Sequence, residues 1–232
     1  MQLEPLYSTN ATCIMCDTDF STSRVRPSFK KAIRTDTDFC GYYANENPDY
    51  YVVKICPHCG CAFSENFEPN ITEKQRKEFE DKLGGKIIGR DFSGQRDWDM
   101  ALESYKLALL CAQTIQEKEK IIASLLHHLA WMYRYQGNEE QEKRFLKFSL
   151  ESYIKVYETE GTGTKDARLM YLIGELNRRI GDFDGAVRWF SRVINDQKIV
   201  DAAMIRASRE QWAVLRQQML DLNVELPVDM LK

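Results

Sequence analysis

In the helical part that follows residue 70, from Met100 onward, apolar and small residues recur three and four positions apart, the spacing of one helix face. The stretches "MALESYKLALLCA", "IIASLLHHLAWMYRY", "EKRFLKFSLESYIKVY", "ARLMYLIGELNRRI" and "GAVRWFSRVI" carry it in turn, and "VDAAMIRASREQWAVLRQQML" reads as a terminal helix. The breaks "QGNEE", "EGTGTKD" and "IGDFD" place glycine where a helix ends. Further upstream, Thr72 with Gln75 three residues on forms a capping box that starts a helix, expected to end at Gly84-Gly85. Before residue 70 the pattern changes. "RVRPSF" and "YYVVKI" read as strands, the second rich in β-branched and aromatic residues, with "NENPDY" as a turn before it. Five of the 6 prolines precede residue 70, and none lies between Asn70 and Leu226. The pattern predicts an α+β protein, with a β-rich segment at 1–71 and an all-α domain at 72–232.

Cysteine follows the same division: six of 7 lie before residue 62. Two of the spacings are Cys-x-x-Cys, at Cys13/Cys16 and Cys56/Cys59. Each such pair closes a tight turn that aims two sulfurs at one point, and two turns together supply the four ligands of a tetrahedral metal. In "CPHCG", Pro57 stiffens the turn and Gly60 permits a positive φ after the second cysteine. Zinc on Cys13, Cys16, Cys56 and Cys59 is the expectation. Iron in a four-thiolate site is the alternative, because "CPHCG" resembles a rubredoxin knuckle, although Asp17 stands where that pattern has glycine. A thioredoxin-like redox pair would need a βαβ context that the sequence lacks. Cys61 and Cys40 read as thiols outside the ligand set, His58 as solvent-facing and Cys111 as a small core residue. Four thiolates leave no open coordination position, so the expected role of the metal is structural.

The units "LAWMYRYQGNEEQEKRFLKFSL" and "IGELNRRIGDFDGAVRWFSRVI", aligned on Gly137 and Gly181, share a small residue (Ala130, Gly174), glycine seven residues later, and late aromatics. They resemble the tetratricopeptide repeat, with "ETEGTGTKDA" lengthening the spacing beyond the usual ~34 residues. The order "CxxC … VRPSFKKAIRTDTDFCGYY … NPDYYVVKICPHCG", then "RDWDMALESYKLALL" and these helices, resembles a bacterial domain-of-unknown-function family. Its members carry an N-terminal zinc-ribbon-like segment and helical repeats. The resemblance covers nearly the whole chain. It implies a zinc-stapled N-terminal segment ahead of a tetratricopeptide-like helical domain, and no established activity. The tetratricopeptide resemblance further implies a peptide-binding groove lined by His127, Trp131, Arg134 and Tyr135 from one unit, and by Arg168, Tyr171, Glu175, Arg178 and Arg179 from the next. Tyr, Trp and Arg are enriched at binding hot spots, and clustered arginines suit a carboxylate or acidic peptide.

Composition narrows the function classes. Hydrophobic content of 44% and charge of 29% describe an ordinary globular chain. No apolar run approaches the ~18 residues of a membrane span, and the N-terminus lacks the basic start and apolar core of a secretory signal. A cytoplasmic protein with reduced thiols is the expectation. Net charge is −3, and residues 1–75 hold 7 Lys/Arg against 10 Asp/Glu, so nucleic acid is not the expected ligand. The alternative function is nucleic-acid association through the basic segment 24–34 (Arg24, Arg26, Lys30, Lys31, Arg34). Asp36 and Asp38, two apart in "RTDTDF", are a carboxylate pair of the kind acid–base catalysis uses. Neither a histidine, a nucleophile elbow nor a phosphate loop accompanies them, and the pair reads as a hydrogen-bonded turn or domain packing. The leading expectation is a non-enzymatic interaction module that binds a protein or acidic peptide.

Overall fold

The computed structural model describes residues 3–86, 91–159, 166–227 and 230. Three short antiparallel hairpins come first: β1 (Leu6–Thr12) with β2 (Asp19–Val25), β3 (Arg34–Thr35) with β4 (Gly41–Tyr42), and β5 (Lys54–Ile55) with β6 (Ala62–Phe63). Helices follow: α1 (Glu73–Leu83), α2 (Trp98–Thr114), α3 (Glu119–Tyr135), α4 (Glu139–Thr159), α5 (Ala167–Ile180), α6 (Phe183–Asn195) and α7 (Ala202–Asp221). The architecture is α+β. The helices fall where the periodicity puts them, and α1 starts with both halves of the Thr72–Gln75 capping box and has Gly84 as its C-cap.

The strands differ from expectation. β2 ends at Val25, and Pro27 opens a 3-10 turn at Pro27–Phe29. Within "YYVVKI" only Lys54–Ile55 is strand, because Pro48 opens a second 3-10 turn that runs through Tyr51. Proline has no N–H to give a ladder, and its fixed φ suits the first position of a helical turn. The longest hairpin, β1–β2, pairs Leu6 with Val25 through to Thr12 with Asp19. Its first strand, "LYSTNAT", has no alternating apolar signal to announce it.

Two compact units divide the chain, Met1–Glu142 and Lys143–Lys232. The compositional boundary at 71/72 marks a change of secondary structure, but the units part elsewhere. Two-residue strands bury too little apolar surface to form a core alone, and α2 packs on β6 and on the 3-10 turn at Pro48–Tyr51. Tyr105 of α2 is fully buried and its hydroxyl donates to the Asp49 carbonyl at 2.7 Å. Arg96, also buried, donates to the carbonyls of Phe92, Tyr50 and Val53 and so closes the loop before α2.

In the second unit α5 and α6 form a helical hairpin, with Gly181 at φ 90° between them and Asp182 capping α6. The hairpin is tight: a Cβ on Gly174 would lie 2.8 Å from the Phe190 ring. α7 packs on both helices and buries Ser208, Gln211, Leu215 and Met219. Residues 160–165 of the repeat-lengthening insert lie outside the described residues.

Candidate metal centre

Each Cys-x-x-Cys pair forms the tip of a hairpin, the first between β1 and β2, the second between β5 and β6. The two turns are built alike. In the first, the Asp17 N–H donates to the Cys13 carbonyl and the Cys13 N–H to Thr18; in the second, Gly60 donates to Cys56 and Cys56 to Cys61. Both turns end in a left-handed residue, Gly60 at φ 78° and Asp17 at φ 55°. Aspartate is among the few non-glycine residues that enter this region readily, so Asp17 occupies the position that the second turn gives to glycine. The Met15 N–H points at the Cys13 sulfur, 3.4 Å away. From α1, Arg76 donates to the Met15 carbonyl and pairs with Asp17 at 3.1 Å, which holds the first turn against the helix.

The four sulfurs of Cys13, Cys16, Cys56 and Cys59 lie within 4.8 Å of one another. Cys13 is 3.6 Å from Cys59 and Cys16 is 3.7 Å from Cys56. For a tetrahedron with metal–sulfur bonds of about 2.3 Å, the sulfur–sulfur edge is about 3.8 Å. The cluster therefore has the size that such an ion needs. Hydrogen bonds from Cys59 and Cys61 hold the Cys13 thiol far below the ordinary thiol range. Burial pushes Cys56 up to about 11, and the Cys13 contact with burial pushes Cys59 up as well. Four thiolates cannot coexist at this spacing without a cation, and a divalent ion would replace their protons. These four cysteines can hold a metal ion.

Outside the set, Cys61 is fully buried, and its thiol sits in hydrogen-bonding reach of both Cys13 and Cys111. Cys111 is a core residue whose sulfur accepts the Ala62 N–H at 3.4 Å. His58 is exposed at the tip of the second turn. Cys40 is buried against the Tyr135 hydroxyl, and burial pushes its thiol up to about 12.

Of the residues expected to line a groove, all but Arg168 are buried or half-buried. The β3–β4 turn inserts Asp38 against α3, with the following Phe39 at φ 72°. The fully buried Asp38 carboxylate accepts from His127 Nε2 at 3.2 Å, Trp131 Nε1 at 3.1 Å, and Arg134 at 2.6 and 2.8 Å. Arg134 also pairs with Asp36 at 3.0 Å and Glu142 at 2.7 Å. Burial alone would lower the Arg134 pKa, but Asp38 and Glu142 outweigh it and the value is raised. Burial lowers His127, against the pull of Asp38. The Tyr135 hydroxyl lies 2.8 Å from the Gly41 carbonyl and 3.0 Å from an Asp49 carboxylate oxygen, either of which accepts its single proton. Arg134, expected to line a groove, is only 9% accessible at its side chain, because the loop that carries the two aspartates covers it. The aspartate pair is what that arginine holds.

In the second set, too, every residue but Arg168 is buried or half-buried. Tyr171 and Glu175 are buried. Arg178, also expected to line the groove, is only 11% accessible at its side chain and is paired to Glu175 at 2.7 Å and to Gln218 at 3.0 Å. Arg179 shares Glu175 at 2.7 Å. Arg168 is exposed at the start of α5, where it has an intramolecular partner. Glu175 stands beside Arg178 and Arg179 in the sequence, whereas the aspartates that Arg134 holds lie 96 and 98 positions away. In the basic segment 24–34, Arg24 pairs with Glu65, Arg26 with the Glu4 carbonyl and the Tyr7 ring, and Arg34 with Asp36 and the Tyr42 ring. Lys30 and Lys31 are exposed.

Residues 6–215 match the family described as "Uncharacterized protein conserved in bacteria (DUF2225)", and the chain belongs to that family. No curated protein and no solved structure matches it. No helix among the described residues is long and apolar enough to cross a membrane.

Proposed function

We propose that the protein is a non-enzymatic interaction module whose N-terminal hairpins are stapled by structural zinc, and whose helices form a short tetratricopeptide-like array for a protein or peptide partner. The observation that carries this reading is the closed four-sulfur set: with Cys13, Cys16, Cys56 and Cys59 all coordinating, no position remains for substrate or water. The zinc then holds two hairpins that bury too little to hold themselves. Asp36, Asp38 and His127, the residues best suited to acid–base chemistry, are engaged with Arg134 and Trp131, which supports a structural role for them. Arg24, Arg26 and Arg34 have intramolecular partners, which favours a protein partner over nucleic acid. The compact helical hairpin α5–α6 supports the repeat assignment through its small-residue crossing at Gly174.

Elemental analysis tests the staple directly. Purified protein should carry one zinc per chain, and Cys56→Ser should lose it. Protease resistance should then fall within 3–142 while 166–227 stays protected. Iron at stoichiometric level would change the ion and leave the structural role intact. A metal-free wild type with unchanged protection would end the reading. For the interaction role, in-cell crosslinking of the tagged full chain should give defined protein adducts, and nucleic acid as the sole adduct would count against it.

A further inference from the structure

We infer that the outer face of α7 is the docking surface for an acidic, amphipathic helical segment of a partner protein; this rests on the interaction reading above and gives it a location. α7 buries one face on α5 and α6 through Ser208, Gln211, Leu215 and Met219. The opposite face carries Ala202, Arg206, Arg209, Ala213, Arg216 and Leu220, all exposed. Their spacing is 4, 3, 4, 3, 4, which is the seam one helix presents to another. Its composition is unusual for a solvated face, where both signs of charge alternate. The charges on the seam are arginines alone. Glu210 lies beside it, and Asp221 accepts from Gln217.

The arginines are distinguished by what they lack. Arg134, Arg178 and Arg179 are each paired with a carboxylate. Arg206, Arg209 and Arg216 make no hydrogen bond or ion pair with any described residue. Three planar forks are therefore available along roughly 15 Å of helix, the reach of ten residues. Between them Ala213 leaves room for a partner helix to come close. Beyond them exposed apolar side chains alternate with Asp221, Asn223 and Glu225: Leu220 is 49% accessible, Leu222 62% and Val224 41%. The complementary ligand has carboxylates at heptad spacing and an apolar residue at one end.

A long polyanion fits less well. The chain carries a net charge of −3, so its overall field does not favour a polyanion. Three phosphate contacts also give little non-specific affinity at physiological salt.

The test is fluorescence anisotropy on the full, metal-loaded chain. The probe is a labelled three-heptad helical peptide with glutamate at its facing positions and leucine at one end. Controls are the same peptide with lysine for glutamate, a labelled single-stranded oligonucleotide, and vesicles containing anionic lipid. The glutamate peptide should bind, weaken as salt screens the pairs, and lose about tenfold in affinity in the Arg206→Gln/Arg209→Gln/Arg216→Gln variant. Leu220→Ser should weaken it further, and all variants should melt with the wild type because these side chains are exposed. Equal binding by the triple variant, no binding at all, or preference for oligonucleotide or vesicle would each overturn the assignment. Crosslinking in cells separates this failure from that of the interaction role. If the triple variant keeps every wild-type protein adduct, the face is wrong and the module stands. If the wild type forms no protein adducts and binds no peptide, both fall.

Discussion

Asp38→Ala removes the centre of the buried polar network in the first unit. The carboxylate is fully buried and receives four hydrogen bonds from three side chains of α3. Breaking a buried ion pair by removing one partner costs about 3–5 kcal/mol, because the remaining charge is left uncompensated. Here Arg134 keeps Asp36 at 3.0 Å and Glu142 at 2.7 Å, so the cation is not orphaned. Set against that, the buried Trp131 and His127 N–H groups lose their acceptor, at about 1–3 kcal/mol each. The terms are not additive, and the expected loss is about 4 kcal/mol. In a protein of this length that lowers the melting temperature by roughly 8–16 °C. Asp38→Asn keeps an acceptor oxygen but not the charge, and should cost about half as much. Urea unfolding followed by tryptophan fluorescence gives the free energy, and hydrogen exchange should show early opening of residues 34–42. A double-mutant cycle with Arg134→Met isolates the pair, with an expected coupling of about 2 kcal/mol. If Asp38→Ala unfolds within 1 kcal/mol of the wild type, or the coupling is near zero, the network does not hold the hairpin to α3.

Two further outcomes follow from the packing and the titration of buried groups. His127 has a folded pKa below 6.5, so unfolding takes up a proton; its contribution to stability is complete above about pH 6.5 and is lost as pH falls toward the folded value. Asp49, raised by burial, acts oppositely at lower pH, and the difference between wild type and His127→Gln in melts from pH 7.5 to 5.5 isolates the histidine; parallel curves would refute it. Gly174→Ala forces a methyl group to within 2.8 Å of the Phe190 ring, so it should cost about 1–3 kcal/mol by calorimetry although alanine is the better helix former, and a stabilised variant would show that the hairpin can relax.

The sequence by itself determined what depends on local spacing. Helical period located α2 to α7, and the Thr72–Gln75 box located the start of α1, because capping and amphipathicity act over three or four residues. The cysteine pairs were legible for the same reason: each knuckle is a five-residue turn, and Gly60 marks one of them openly. What the tertiary structure decided is where distant polar groups meet. Arg134 and Arg178 look alike in sequence as groove residues, yet Asp38 reaches Arg134 across 96 positions and Gln218 reaches Arg178 across 40. Nothing local announces either contact. The division between units is of the same kind, since the hairpins join α1–α3 by burial and not by composition. The free arginines of α7 stand out only after the others are seen to be paired. Charge on a helix face can be read from period alone, but whether it is neutralised depends on what the rest of the chain brings beside it.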